Sequence, residues 1–525
     1  MSLETRGDGP APKPLEAQPA ESRRTSYRSN RVGAAEPAPS APRRGRPSAR
    51  HVFAALALLL SIALIVLLHL APEGPPAAGR TTLSVFLLAV WAWVFTGIDD
   101  TYVALAAGVA LVLLGVATTD TFFSTLGDDT VWLLVAAFVI AAGVASSGLA
   151  TRATAWLVAS AATVRGLVHI LTAAIVVTAF AIPSTSGRAA LVLPVFVALA
   201  TTLGHPSHAG RYRRVVLILA LLFPTVILLS AVASLLGAGA HLITSRVVAT
   251  VTGEGFDFVE WMILGLPLAL LSSHLAAEIV MRLFGDRETR RMPVQMRVED
   301  FEQSTRTPLS GALTVQESRA AMILGIVVVL WCTTPVHDVH PAVVALGGAL
   351  VTTLPRFGPI GLKKTLAKVP WSLLLFMAAT LALADALVES GAADWIAQAL
   401  FGRIGTTSGL VFMVVVVAAS TLAHLVIQSR SARSAVLVPV VVALAPGVGV
   451  DAAAAAFAST AAAGFCHTLT SSAKPVAMFS SLDGVETYSA AHLRRLSLVL
   501  GPVMIALVLL FSYFVWPLLG LPVSR

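Results

Sequence analysis

Residues 182–194 read IPSTSGRAALVLP, and residues 427–439 read IQSRSARSAVLVP. Ile182 matches Ile427, Ser184 matches Ser429, Ser186 matches Ser431, Arg188 matches Arg433 and Pro194 matches Pro439, all at a constant separation of 245 residues. Each segment is polar and lies between apolar blocks. Working outward, HLITS at 241–245 pairs with HTLTS at 467–471, and GVASSGLAT at 143–151 pairs with ALVESGAAD at 386–394. Both halves run in the same order: a Ser-Gly block, then SxSxR, then a His-to-Ser segment. Ordered recurrence of this kind predicts a duplicated half, the architecture in which transporters build a site at the repeat interface near mid-membrane.

The surrounding composition places those halves in a bilayer. Of 525 residues, 56% are hydrophobic and 12% charged, about half the charge of a soluble domain. The apolar residues fall in blocks of spanning length. The expected fold is an all-α polytopic membrane protein of two repeats, with broken helices, some re-entrant blocks and about ten to twelve spans. Ten Lys/Arg residues lie in the first fifty positions, which places the N-terminus in the cytoplasm. Residues 1–50 read as a disordered basic tail, 51–284 as the first span and first repeat, 285–318 as a polar loop and 319–525 as the second repeat. Arginine over lysine, with abundant Ala and Val, points to a bacterial plasma membrane.

An interrupted helix exposes unpaired N–H groups where its second part starts, and these with the helix dipole attract anions. Ser184, Thr185, Ser186, Ser429 and Ser431 add hydroxyl donors. Arg188 and Arg433, expensive near mid-membrane by at least ~2.5 kcal/mol, are expected to converge on one site and hold carboxylate, sulfate or phosphate oxygens. Arg430 adds a charge on one side. The competing reading is that each arginine snorkels to a surface. His241 and His467, with Thr244, Ser245, Thr470 and Ser471, either line the cavity or bond neighbouring helices. Asp385 and Glu389 read as water-facing, and Asp99, Asp100, Asp128 and Asp129 as interfacial.

Other classes find no support. No nucleophile elbow, Walker motif or HExxH occurs, so no enzyme is expected. The basic residues are not interleaved with aromatics, so no nucleic-acid partner is expected. Cys332 and Cys466 have no metal or disulfide spacing.

The paired SxSxR segments, each with a proline ten residues after its first serine, resemble the Ser-Asn-Thr motifs of the divalent anion/sodium symporter family. In that match Ser184 and Ser429 take the serine position, and Ser186 and Ser431 the threonine position. Residues 131–152 and 370–395 are similar to the family's two hairpins. The resemblance implies that the two repeats are inverted and carry re-entrant hairpins, and it implies a secondary active transporter of dicarboxylate or sulfate-like anions, an elevator-type motion and a homodimer. Thr185 and Arg430 stand where the family has asparagines that help hold sodium, which implies weakened or absent sodium coupling. The arginines would replace bound cations as fixed charge. No cofactor is implied beyond a coupling ion, sodium or proton. An anion channel and a non-transporting membrane sensor are the alternatives.

Overall fold

The computed structural model describes residues 49–72, 74–203, 212–294, 308–393, 408–480 and 487–524, with 298, 299, 302, 395, 396, 482 and 485. The tail expected at 1–50 falls outside them except for its last two residues. The chain divides into Met1–Val52 and Phe53–Arg525, and everything below concerns the second unit. Among the described residues it is all helix, with isolated bridges and no strand.

Helix α1 (Ala49–Leu70) precedes two series of helices. The first is α2 (Ala77–Phe95), α3 (Asp100–Leu113), α4 (Asp129–Ser147), α5 (Leu149–Ala159), α6 (Val164–Ala181), α7 (Thr185–Leu203), α8 (Arg213–Leu229), α9 (Gly239–Thr252) and α10 (Phe258–Phe284). The second is α11 (Val315–Cys332), α12 (Pro341–Thr353), α13 (Trp371–Glu389), α14 (Gly409–Leu422), α15 (Arg430–Leu444), α16 (Ala452–Ala462), α17 (Lys474–Ser480) and α18 (Ala490–Leu510). Eleven helices of the described residues are long and apolar enough to cross a membrane, within the range expected.

Local chemistry sets the boundaries. Asp99, Asp128, Asp257 and Asp451 each accept a backbone N–H in the first turn of the helix they precede, satisfying donors that a helix start leaves open. Gly148 and Gly391 end α4 and α13 with φ of +84° and +70°. A left-handed residue there turns the chain back, and glycine adopts it without steric cost. Both Ser-Gly blocks of the sequence thus make the same turn.

Helix α11 starts at Val315, where Thr314 and Glu317 form a reciprocal capping box. Glu317 also pairs with buried Arg152 at 2.8 Å. Arg152 further donates to the carbonyls of Pro308 and Leu309, pinning the inter-half segment to α5.

Packing repeats as the sequence does. α3 packs on α13 and α12 on α4; α9 packs on α15 and α17 on α7; α9 packs on α16 and α17 on α8. In each pair the second contact is the first with the halves exchanged, which is what a two-fold relation produces. α8 is the centre of the body, with 94% of its spanning window buried, against 6% for α1. Leu59, Leu60 and Leu67 of α1 stay exposed, a surface that suits lipid rather than water.

Candidate functional site

Both polar repeat segments interrupt helices. α6 ends at Ala181, Ile182 is extended, and α7 restarts at Thr185. α14 tightens into a 3-10 turn at Ala423–Leu425, and α15 restarts at Arg430. Ser184 Oγ accepts from Gly187 N at 3.3 Å, and Ser429 Oγ accepts from Ala432 N at 3.2 Å. The two serines cap equivalent helix starts.

A second break follows in each half. In the first, Ser234 is extended, Leu235–Gly237 form a 3-10 turn, Ala238 is extended at φ −159°, and α9 starts at Gly239. In the second, Leu469 is extended, Thr470–Ser472 form the turn, Ala473 is extended at φ −156°, and α17 starts at Lys474. This corrects the expected pairing of HLITS with HTLTS. Backbone shape aligns Ser234–Gly239 with Leu469–Lys474, so His241 lies inside α9 while His467 precedes its turn.

The four breaks meet at a cavity of about 340 Å³. Ser184, Thr185, Ser186, Ala238 and Gly239 line it from the first half; Ser429, Arg430, Ser431, Arg433, Ser471 and Lys474 line it from the second. Asp100, Ser372, Gln428 and Cys466 complete the polar lining. Three cationic side chains therefore face one carboxylate, beside two helix starts whose open N–H groups favour negative charge.

The two motif arginines have different fates. Arg433 is fully buried, lines the cavity, and finds no acceptor for Nε, NH1 or NH2 among the described residues. Arg188 is equally buried but does not line the cavity. Its Nε donates to Thr178 Oγ1 at 2.9 Å, NH1 to the Ile227 carbonyl at 2.9 Å, and NH2 to the Ile175 carbonyl at 2.7 Å and Ser230 Oγ at 2.6 Å. The expected convergence of the two guanidinium groups is thus not what the fold makes: one faces the cavity and the other is absorbed between α6 and α8.

Arg430 is the second cavity arginine. NH1 donates to the Leu228 carbonyl at 3.3 Å and NH2 to His241 Nε2 at 3.1 Å. An arginine only donates, so His241 presents a lone pair at Nε2, and its Nδ1–H donates to the Ser234 carbonyl at 2.9 Å. His241 is therefore neutral and held in one tautomer. Trp261 stacks on it with ring centroids 4.9 Å apart.

The remaining expected residues do not line the cavity. Thr244 Oγ1 bonds Thr460 Oγ1 at 2.6 Å, joining α9 to α16, and Ser245 Oγ donates to the Phe256 carbonyl. His467 is buried and accepts the Cys466 N–H at 3.3 Å. Thr470 sits exposed in the tip turn. Asp100, expected at an interface, instead opens α3 into the cavity, and Gly239 was visible only once the tips were aligned by shape. No group of three or more potential metal ligands occurs among the described residues.

Residues 50–521 match the family described as the sodium:sulfate symporter transmembrane region. The chain is 23% identical over 469 residues to the sodium-dependent dicarboxylate transporter of Staphylococcus saprophyticus, covering 84% of this chain and 88% of that one. It is 23% identical over 404 residues to the citrate/succinate antiporter of Escherichia coli, covering 75% and 79%. Its fold is similar to that of the YdaH transporter of Alcanivorax borkumensis, with a TM-score of 0.51 at 15% identity, covering 91% of this chain and all of that one.

Proposed function

This chain belongs to the sodium:sulfate symporter transmembrane family, and we propose that this multi-pass membrane protein is a secondary transporter of small dianions, dicarboxylates foremost. The observation that carries the reading is Arg433: a fully buried guanidinium at the cavity wall, with no acceptor for any of its nitrogens among the described residues. Burying an unpaired charge is costly, and an arriving carboxylate would satisfy it bidentately. Ser184, Thr185 and Ser186 on one side, with Ser429, Arg430 and Ser431 on the other, would hold the second carboxylate. The cavity of about 340 Å³ lies in the range of small-ligand sites, and both transporting relatives are named for di- or tricarboxylates.

The fixed charge of Arg430 and Arg433 opposes a sodium ion in the same cavity. Sodium coupling is accordingly weak or absent in this reading. The site travels by an elevator-type motion of one part of a plasma-membrane homodimer, as the family resemblance implies.

The test is a melting-temperature screen of purified protein against succinate and sulfate, followed by uptake into proteoliposomes, with sodium or choline as the only cation. Stabilisation and uptake in choline are expected, both lost in Arg433→Ala. A strict sodium requirement would overturn the coupling claim. No stabilisation by any small dianion would overturn the site.

A further inference from the structure

The only carboxylate on the wall of this cationic cavity, among the described residues, is Asp100. It is the first residue of α3, and Trp93 Nε1 holds its carbonyl at 3.1 Å. The carboxylate lies beside the Ser429 hydroxyl, one of the two helix-start caps, and within the field of Lys474. We propose that Asp100 is the proton-binding group of the carrier: ionised when no substrate is bound, it neutralises the cavity cations, and it takes up a proton when a dianion enters.

This inference rests on the anion-site reading above. Its basis is charge competition. The cavity presents Arg430, Arg433 and Lys474 against Asp100. Before substrate arrives, the carboxylate gains from those cations. A dianion then claims the same cations and repels the carboxylate at short range, which favours the neutral acid. Binding of the dianion and of the proton therefore assist each other, and the assistance is reciprocal. The step balances simply: a carboxylate accepts one proton from water on loading and returns it on unloading, with no other bond changed.

The groups facing Asp100 from each neighbouring element fit the assignment. On α3, Asp99 is committed to the Thr101 N–H as the cap. From α15 come Arg430 and Arg433, and from α17 comes Lys474. From α13 come Ser372 and Leu373 and from α2 comes Trp93, none of which titrates, and the Cys466 thiol lies on the same wall. Asp385 and Glu389 of α13 lie some 20 Å along that helix, and Asp120 lies beyond the far end of α3.

The experiment is calorimetry of succinate and of sulfate binding to the full-length protein at one pH, in HEPES and in Tris, neither of which is a small dianion. These buffers differ in ionisation enthalpy, so the difference in heat counts protons. Sulfate does not titrate near neutrality and separates uptake by the protein from uptake by the ligand. Uptake approaching one proton per dianion is expected. D100N and D100S, checked for folding by their melting curves, bind without uptake and about tenfold more tightly above neutrality, since a fixed negative charge is gone. D100E restores uptake. Binding without proton uptake in the unaltered protein, or unchanged uptake in D100N, overturns the proposal while leaving the anion site intact. Absence of binding by both anions overturns the anion-site reading and this inference with it.

Discussion

Arg188 and Arg433 occupy the same position of a duplicated segment, are both fully buried, and do opposite things. Around Arg188 the fold supplies two hydroxyls and two carbonyls. Around Arg433 it supplies no acceptor among the described residues. The difference is written in the neighbours. Carrying Thr178 forward by the repeat separation lands on Ala423, and counting Ser230 from the tip lands on Phe465. Both side-chain acceptors of the first half are apolar in the second. Ser420, which replaces Ile175, spends its hydroxyl on Ser459 at 2.8 Å. One copy of the duplicated arginine has become a structural clamp between α6 and α8, and the other is left facing the cavity. In the proposed reading, a binding charge and a folding charge occupy the same position of one repeated pattern.

Removing each arginine is the strongest way to break this comparison. Arg188→Ala strips partners from two buried carbonyls and two hydroxyls, each loss costing about 1–3 kcal/mol. The expected outcome is a melting temperature lowered by several degrees in detergent, with succinate still stabilising whatever protein remains folded. Arg433→Ala removes a guanidinium that holds no acceptor among the described residues, so its melting temperature should stay near that of the unaltered chain. The same variant should lose at least a hundredfold in succinate affinity, equivalent to about 2.7 kcal/mol. The comparison is reversed if the second variant unfolds and the first loses only binding.

These fates were partly legible. Polar runs recurring between apolar blocks located the two helix breaks, because hydroxyls are costly within a span unless they serve a break; the Ser-Gly blocks were legible as a recurring pair, and the structure adds that both are left-handed turns. The clamp on Arg188 was hidden, since half its acceptors are the carbonyls of Ile175 and Ile227, and a backbone carbonyl leaves no mark in the residue type. The tips misled for a related reason. Ser234–Gly239 and Leu469–Lys474 share a backbone path but, beyond Ala238 and Ala473, no residues. The matching His and Thr-Ser letters fell at positions that the fold does not make equivalent.

Transplanting an acceptor sharpens the comparison. Ala423→Thr gives the second half the hydroxyl that Thr178 gives the first, within the same turn before the break. If the acceptors decide the arginine's role, the new threonine draws Arg433 away from the cavity. Succinate affinity is then expected to fall about tenfold, as for one charge-assisted hydrogen bond of about 1.5 kcal/mol, and the melting temperature to rise. Unchanged affinity with unchanged stability would show that Arg433 is positioned by something other than its lack of acceptors.

The smallest effect tests whether the halves communicate through Arg430. Its NH2 is held by His241 of the first half, and His241 is in turn held by the Ser234 carbonyl at the first tip. The chain Ser234–His241–Arg430 thus carries the position of the first tip to a cation at the start of α15 in the second half. His241→Ala deletes the relay and leaves Arg430 tied only by its 3.3 Å bond to the Leu228 carbonyl. A loss of about threefold in succinate affinity is expected, the scale of one neutral-acceptor hydrogen bond. His241→Gln keeps an acceptor oxygen that can reach the guanidinium and should recover most of it. Because His241 serves as a neutral acceptor, neither variant should alter the number of protons taken up with the anion. If His241→Ala abolishes that uptake, the proton belongs to the histidine relay rather than to Asp100, and the division of labour between the two halves has to be redrawn.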